Sequence, residues 1–144
     1  MAHATLDKFG YPGSLIREYA YWAVVLRAHQ ATLGALVLIA KSDARSFAAL
    51  ESVAFTEMSA VVSDIEAGLA AFRPYQKINY LMFMMVDPQV HFHVLPRYAA
   101  VEESHGLSFE DKGWPALPDL AGGLKPSPDA LAAIAASIKA GWPA

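Results

Sequence analysis

The sequence predicts a single domain that combines β-strands with two helices, and three observations predict this arrangement. Residues 15–26 are rich in aromatic and β-branched side chains, and residues 35–40 are almost wholly apolar, as is typical of strands. A long stretch that ends at Arg73 repeats apolar residues at helical spacing. Two apolar runs, residues 78–86 and 90–95, are separated by a short turn and predict a β-hairpin.

The first 40 residues predict an irregular arm followed by two strands. Residues 1–14 end in the turn sequence Tyr11-Pro12-Gly13-Ser14. We interpret residues 15–26 as one strand, with room for a bend. The strand over residues 35–40 lacks polar side chains, so we expect both of its faces to be covered.

The long helix is the clearest element. Thr56 is a candidate N-cap, Arg73-Pro74 ends the helix, and Gly68 marks a close contact inside it. The apolar stripe of this helix consists of Met58, Val61, Val62, Ile65, Leu69 and Phe72.

After the hairpin, in which Asp87-Pro88 forms the turn, the chain changes character. Residues 99–128 are punctuated by glycine and proline, which predicts a long irregular segment that is functional or docked on a partner. A short helix follows, with Ser127 as its cap, Pro128 at its first position and Gly141 at its end. We therefore expect one domain over residues 1–144, with 99–144 as an irregular C-terminal extension. The apolar edge of its helix is Leu131, Ile134 and Ile138.

Composition excludes several classes of protein. The 144 residues carry a net charge of −3, which argues against a nucleic-acid partner. No cysteine is present, so disulfides, thiolate metal sites and cysteine nucleophiles are excluded. The longest apolar run, residues 80–86, is far shorter than the ~18 residues of a membrane span, and the first residues lack a basic or apolar leader pattern. We expect a cytoplasmic protein without a membrane partner.

The chemistry concentrates in one strand. Because side chains alternate across a strand, Val90, Phe92 and Val94 point to one face, whereas Gln89, His91 and His93 point to the other. Imidazole is the side chain best suited to act as a nucleophile or proton carrier near neutral pH. A ring nitrogen that attacks phosphorus forms a covalent intermediate, and neighbouring donors hold the charged oxygens.

The same spacing fits two other interpretations. A His-x-His pair can be an ordinary solvated polar face, or it can supply two ligands to a metal ion. A metal site would need a third ligand, for which the candidates are His29, His105 or a carboxylate such as Glu102.

Residues 86–98 resemble the signature of the histidine triad (HIT) family, in which histidines alternate with hydrophobic residues and the motif often continues into Pro-Arg. The motif here reads Val86-Asp87-Pro88-Gln89-Val90-His91-Phe92-His93-Val94-Leu95-Pro96-Arg97-Tyr98. The order of features also follows the family, from Leu33-Gly34 and Lys41 through Ser46-Phe47 and the long helix to residues 77–80. The resemblance covers about residues 15–102 and is closest to bacterial members of the diadenosine polyphosphate hydrolase-like branch.

The resemblance implies an α+β fold with an antiparallel sheet of about five strands, a long helix and a C-terminal helix, assembled as a homodimer. It implies that His91 attacks the α-phosphate of a dinucleoside polyphosphate or nucleoside phosphoramidate and carries the nucleotidyl group until water removes it. His93 and Gln89 would then hold phosphate oxygens. Arg97 matches the arginine after the motif and is assigned to the nucleotide, with a structural ion pair as its alternative.

Two further points concern the ligand. His29, beside Arg27, is a candidate contact for the base or ribose, and a solvated loop histidine is the alternative. The expected reaction requires no cofactor and no resident metal, although a divalent cation can accompany the polyphosphate.

Three departures from the family pattern define the alternative function. Gln89 replaces the first histidine, Ala35 stands where histidine is frequent, and Met85 stands where bacterial relatives often have asparagine. Because lost supporting residues weaken a site, the alternative is a nucleotide-binding protein of this type with little or no catalysis.

Overall fold

Five antiparallel strands form the main sheet in the computed structural model, which describes residues 3–144. They are β1 (Leu15–Glu18), β2 (Trp22–Leu26), β3 (Leu36–Ala40), β4 (Lys77–Leu81) and β5 (His91–Arg97). Their order across the sheet is β1-β2-β3-β5-β4, so β5 lies between β3 and β4. A second, two-stranded sheet pairs β6 (Glu102–Ser104) with β7 (Leu107–Phe109). This architecture confirms the expected α+β fold.

Helices lie on both faces of the main sheet. They are α1 (Ala4–Lys8), α2 (Ser52–Phe72) and α3 (Pro128–Ala140), with a short 3-10 turn over Phe47–Ala49. One sheet face packs on α2 and α3 and forms the larger core, whereas the other face packs on Leu6 and Phe9 of the N-terminal segment. The larger core includes Trp22, Val24, Leu36, Leu38, Val61, Ile65, Leu69, Val94, Ile134 and Ile138.

Burial of the central strands follows from their composition. Every residue of β2 and β3 is buried, which confirms that both faces of residues 36–40 are covered. Burying apolar side chains contributes about 25 cal/mol per Å² removed from water, so burial of these two strands stabilises the centre of the sheet.

The prediction of one strand over residues 15–26 is wrong, because the chain reverses between β1 and β2. Glu57 of α2 accepts hydrogen bonds from the backbone N–H groups of Ala20 (3.1 Å) and Tyr21 (2.7 Å). Ala20 and Tyr21 lie at the turn, outside the strand pairing, so their N–H groups need another acceptor, and the Glu57 carboxylate supplies it. A helix more than 30 residues downstream therefore stabilises this hairpin.

The hairpin formed by β4 and β5 is confirmed, but its connection is a loop over residues 82–90 rather than a tight turn. Met84 has a φ of +55°, a left-handed conformation that a strand cannot contain. Met85 and Val86 are 84% and 81% exposed, so the end of this apolar run lies outside the core, whereas Met82 and Met84 pack against it. Gln89 and Val90 precede β5 and lie outside the strand.

Helix α2 begins five residues earlier than predicted. Glu51 is its N-cap residue, whereas Thr56 lies inside the first turns and donates a side-chain hydrogen bond to the Ser52 carbonyl. The predicted end is confirmed, since Arg73 is the C-cap residue. The close contact predicted at Gly68 is also confirmed, because a Cβ atom there would lie 2.4 Å from Cε3 of Trp142.

The C-terminal part contains more regular structure than predicted, because β6 and β7 form a short hairpin within residues 99–128. Helix α3 follows with the predicted ends: Ser127 Oγ accepts from the Ala130 N–H, Pro128 opens the helix, and Gly141 is the C-cap residue. Within residues 3–144, no helix combines the length and the apolar character required to cross a bilayer.

Candidate functional site

A cleft of about 580 Å³ lies over the sheet face that carries His91 and His93. In antiparallel pairs, directly opposite residues share a face, and β5 pairs His91 with Ile39 and His93 with Val37 of β3. Val94 and Phe92 belong to the core beneath the opposite face. The predicted alternation of side chains is therefore present, and the two imidazole centroids lie 5.3 Å apart.

The protonation pattern of His91 is fixed by its backbone neighbour. His91 Nδ1 lies 2.8 Å from the Gln89 carbonyl oxygen, which can only accept a hydrogen bond. Nδ1 therefore carries the proton, and Nε2 of the neutral ring keeps its lone pair. Nε2 lies 3.9 Å from Oδ2 of Asp87. The side chain is 3% exposed, so the cleft is its route to a ligand.

His93 is held in its neutral form. Burial, then the nearby Arg27 cation and then His91 lower the pKa of His93 to about 4. Its Nδ1 is buried and has no hydrogen-bond partner among the described residues. The ring lines the cleft, where a neutral imidazole can donate or accept a hydrogen bond.

The N-terminal segment forms one wall of the cleft. The Phe9 ring lies 5.9 Å from the His91 ring and 5.8 Å from the His93 ring, measured between centroids. Lys8 Nζ lies 3.2 Å from Oδ1 of Asp87, which places a cation beside the carboxylate next to His91. The other walls are residues 27–29, residues 83–87 and Leu120.

Arg27 and His29 both line the cleft, on the connection between β2 and β3. Arg27 Nη1 donates to the His29 carbonyl oxygen at 2.9 Å. The connection is held from within by Gln30, whose fully buried amide donates to the Arg27 and Ala35 carbonyl oxygens and accepts from the Gly34 N–H. These bonds hold the backbone from which the Arg27 side chain extends.

Gln89 does not line this cleft, and its amide has protein partners instead of the anion that the sequence suggested. Its Oε1 accepts from the N–H (3.0 Å) and the hydroxyl (2.7 Å) of Thr5, and its Nε2 donates to Asp43 Oδ1 at 2.8 Å. The Gln89 N–H donates to Thr5 Oγ1 at 3.2 Å. Both polar atoms of the Gln89 amide are therefore hydrogen-bonded within the protein, and the bonds to Thr5 attach α1 to the segment just before β5.

Arg97 occupies the far end of β5, outside the cleft. Its guanidinium donates to both carboxylate oxygens of Asp111 at 2.6 and 3.1 Å, to Asn79 Oδ1 at 2.8 Å and to the Ala116 carbonyl at 2.9 Å. It is 3% exposed. This geometry matches the structural ion pair named as the alternative for this residue, and not a contact with a ligand in the cleft.

The third ligand that a metal site would require is not in place. Within the described residues, no group of three His, Asp or Glu side chains is arranged to hold a metal ion. His105 donates to or accepts from Ser137 at 3.2 Å, and Glu102 pairs with Arg73 at 3.3 Å, so both are engaged elsewhere.

Several cleft residues escaped the sequence analysis. Asp87 lies in the loop over residues 82–90, where strand alternation does not apply, so the pattern could not have identified it. Lys8, Phe9 and Phe83 reach the cleft through tertiary packing. Their sequence neighbourhood carries no signal of it.

Comparison with known proteins identifies the fold. No family model matches the chain, and no curated protein matches its sequence. A histidine triad protein from Sinorhizobium meliloti has a similar structure, with a TM-score of 0.75, 18% identity, and coverage of 98% of this chain and 96% of that one. A histidine triad protein from Bradyrhizobium japonicum is similar too, with a TM-score of 0.68 and 16% identity over 99% of this chain and 97% of that one.

A hypothetical histidine triad nucleotide-binding protein from Sulfolobus tokodaii is similar as well, with a TM-score of 0.69 and 13% identity over 96% of this chain and 89% of that one. Sequence identities this low establish the fold and leave the chemistry to the residues of the cleft. This chain has the fold of histidine triad proteins.

Proposed function

We propose that the protein belongs to the histidine triad family and is a nucleotide hydrolase or transferase, with His91 as its nucleophile. The observation that carries the proposal is the hydrogen bond from His91 Nδ1 to the Gln89 carbonyl, which leaves Nε2 free to attack. The motif around His91, the fold, and a structural neighbour described as nucleotide-binding support the same conclusion.

The proposed reaction has two displacements. Nε2 of His91 donates its lone pair to the α-phosphorus, the Nε2–P bond forms, and the bond from phosphorus to the leaving group breaks with its electron pair on that group. A phosphate departs as the anion, whereas an amine leaving group also takes a proton from solvent water. Water then attacks phosphorus, the Nε2–P bond breaks, and the pair returns to Nε2. The Asp87 carboxylate, the one carboxylate among the described residues that line the cleft, takes the proton that the water loses.

Charge in the cleft favours a phosphate-bearing ligand. Lys8 and Arg27 flank the two histidines, whereas Asp87 is the only acid lining the cleft among residues 3–144. The chain as a whole has a net charge of −3, so this local excess of cations is a property of the cleft. Dinucleoside polyphosphates and nucleoside phosphoramidates are the substrates proposed, with a divalent cation accompanying a polyphosphate where one is bound.

The experiment is to compare wild type with His91→Ala. We expect release of nucleoside monophosphate to fall at least ~10³-fold, because the nucleophile is removed, while AMP still binds within about threefold of the wild-type affinity. Undiminished turnover by His91→Ala would overturn the mechanism.

Nucleotide binding without useful catalysis is the second candidate function. It is favoured by one observation, that the Gln89 amide faces Thr5 and Asp43 and so contributes no donor to the cleft. This candidate predicts AMP binding by calorimetry with turnover equal to that of His91→Ala. Wild-type turnover clearly above that variant would exclude it.

A homodimer and a cytoplasmic location complete the proposal. Within residues 3–144, β4 pairs only with β5, so its outer edge has unpaired backbone groups that a second copy can use. Light scattering tests the dimer, and a monomer at micromolar concentration would contradict it.

A further inference from the structure

Arg27 is a cation of the cleft that has no counter-ion among the described residues. Among residues 3–144, no carboxylate oxygen lies within 4.0 Å of its guanidinium nitrogens. Its Nη1 donates to the His29 carbonyl, and its Nε is buried without a partner. Burial lowers the pKa of Arg27, as expected for a charge that has lost water and gained no anion.

Two other arginines that are removed from water each have a carboxylate partner: Arg97 is buried, and Arg73 is partly buried as Arg27 is. Arg97 donates to both oxygens of Asp111, at 2.6 and 3.1 Å. Arg73, whose Nε is also unpartnered, has Glu102 at 3.3 Å. Because an unpaired charge away from water is unfavourable, the guanidinium of Arg27 indicates an anion that arrives with the ligand.

The position of Arg27 relative to the histidines defines where that anion sits. The Arg27 N–H donates to the Ala35 carbonyl at 3.0 Å, just before β3 begins. Along β3, Val37 faces His93 and Ile39 faces His91, so Arg27 lies toward the His93 end of the row. The Lys8–Asp87 pair lies at the His91 end.

We propose that Arg27 determines specificity by binding a phosphate of the leaving group, so that the site prefers an anionic phosphate leaving group over a neutral amine. This inference rests on the proposed function. The α-phosphate is then at His91 and the next phosphate at Arg27, because Arg27 is the cleft cation without a carboxylate partner among residues 3–144, whereas Lys8 pairs with Asp87 at 3.2 Å. When Nε2 attacks, the P–O bond breaks, its electron pair leaves on the phosphate oxygen, and Arg27 neutralises that charge.

The assignment differs from the base or ribose contact that the sequence suggested for this loop. A neutral base or a hydroxyl group would leave the guanidinium charge uncompensated, whereas a phosphate can accept two parallel N–H bonds from its fork. The preference is thus a property of one side chain whose position Gln30 fixes through the backbone.

The test measures kcat/KM for two adenosine substrates that share the nucleoside, a diadenosine polyphosphate and an adenosine phosphoramidate with a neutral amine. We expect Arg27→Gln to lower kcat/KM for the diadenosine polyphosphate at least ~10-fold and to change kcat/KM for the phosphoramidate by less than about threefold. Arg27→Lys should give values between those of wild type and Arg27→Gln. The matched control is Arg17→Gln, since Arg17 donates to the Pro143 carbonyl away from the cleft and should leave the ratio unchanged. Equal losses for both substrates would overturn the proposal.

A binding measurement separates this proposal from the proposed function. In the His91→Ala background, calorimetry should show that ADP binds more tightly than AMP, and that Arg27→Gln removes this difference. If wild type turns over neither substrate, the proposed enzymatic function fails. The difference in affinity between ADP and AMP still tests whether Arg27 binds the second phosphate. Equal affinities for ADP and AMP with Arg27 intact would contradict that role.

Discussion

At the level of single residues, the backbone carbonyl of Gln89 decides which nitrogen of His91 can act. The carbonyl lies 2.8 Å from Nδ1 and holds the proton there. Because this acceptor is part of the main chain, the residue type at position 89 does not determine it. The alternation of side chains predicts that Gln89 and His91 are neighbours on one face, but it cannot reveal a hydrogen bond to a carbonyl oxygen.

The low pKa of His93 predicts a specific dependence of stability on pH. Folding lowers this pKa from 6.5 to about 4, mainly through burial. Between these values the unfolded chain binds more protons, so the free energy of unfolding falls as pH drops through this window. After allowance for solvent screening, we expect the titration of His93 to lower the free energy of unfolding by about 1 kcal/mol between pH 7 and pH 5.

Urea denaturation of wild type and His93→Gln at both pH values checks this prediction. The variant should lose less stability on acidification, since glutamine does not titrate. Identical losses in the two proteins would show that His93 is not held neutral.

Gln89 is predicted to fasten the N-terminal segment. Gln89→Ala should lower the free energy of unfolding by about 2–3 kcal/mol, because the buried N–H and hydroxyl of Thr5 lose their shared acceptor. Hydrogen exchange should also show a less protected Thr5 amide. Arg45→Ala is the control: Arg45 is 66% exposed and lies 4.0 Å from Asp43, so its loss should change stability by less than about 1 kcal/mol.

At the level of elements, the contact between α2 and the C-terminal residues depends on Gly68. We expect Gly68→Ala to destabilise the protein by about 1–3 kcal/mol, because the new Cβ would meet the Trp142 ring at 2.4 Å. In a Trp142→Ala background the same change should be neutral or stabilising, since alanine is the better helix former. Thermal unfolding of the four proteins measures both effects, and an equal penalty in the two backgrounds would disprove the contact.

Elements were predictable where local chemistry determines them. The ends of α3 follow from Ser127, Pro128 and Gly141, whose effects are local. The break between β1 and β2 was not predictable, because its turn is completed by Glu57 of α2. The apolar residues 82–86 also resemble a strand, yet they form a loop: pairing with β5 ends at Leu81, and Met84 has a left-handed φ.

At the level of the whole molecule, the cleft is assembled from segments that are distant in the chain. The strand with His91 was identified from its own pattern, because alternation and residue type are local signals. Lys8 and Phe9 come from more than 80 positions earlier and Arg27 from another connection, so only the fold brings them together. The hydrogen bond between Thr5 of α1 and Gln89, just before β5, holds the N-terminal segment against the cleft.

The most direct test of the account is mass spectrometry of protein mixed with a dinucleoside polyphosphate and quenched by rapid denaturation at alkaline pH, where a phosphorus–nitrogen bond survives. The account predicts one nucleotidyl group on the peptide that contains His91, lost on acid treatment and missing from His91→Ala. An adduct on any other residue, or product formation by His91→Ala at the wild-type rate, would contradict it.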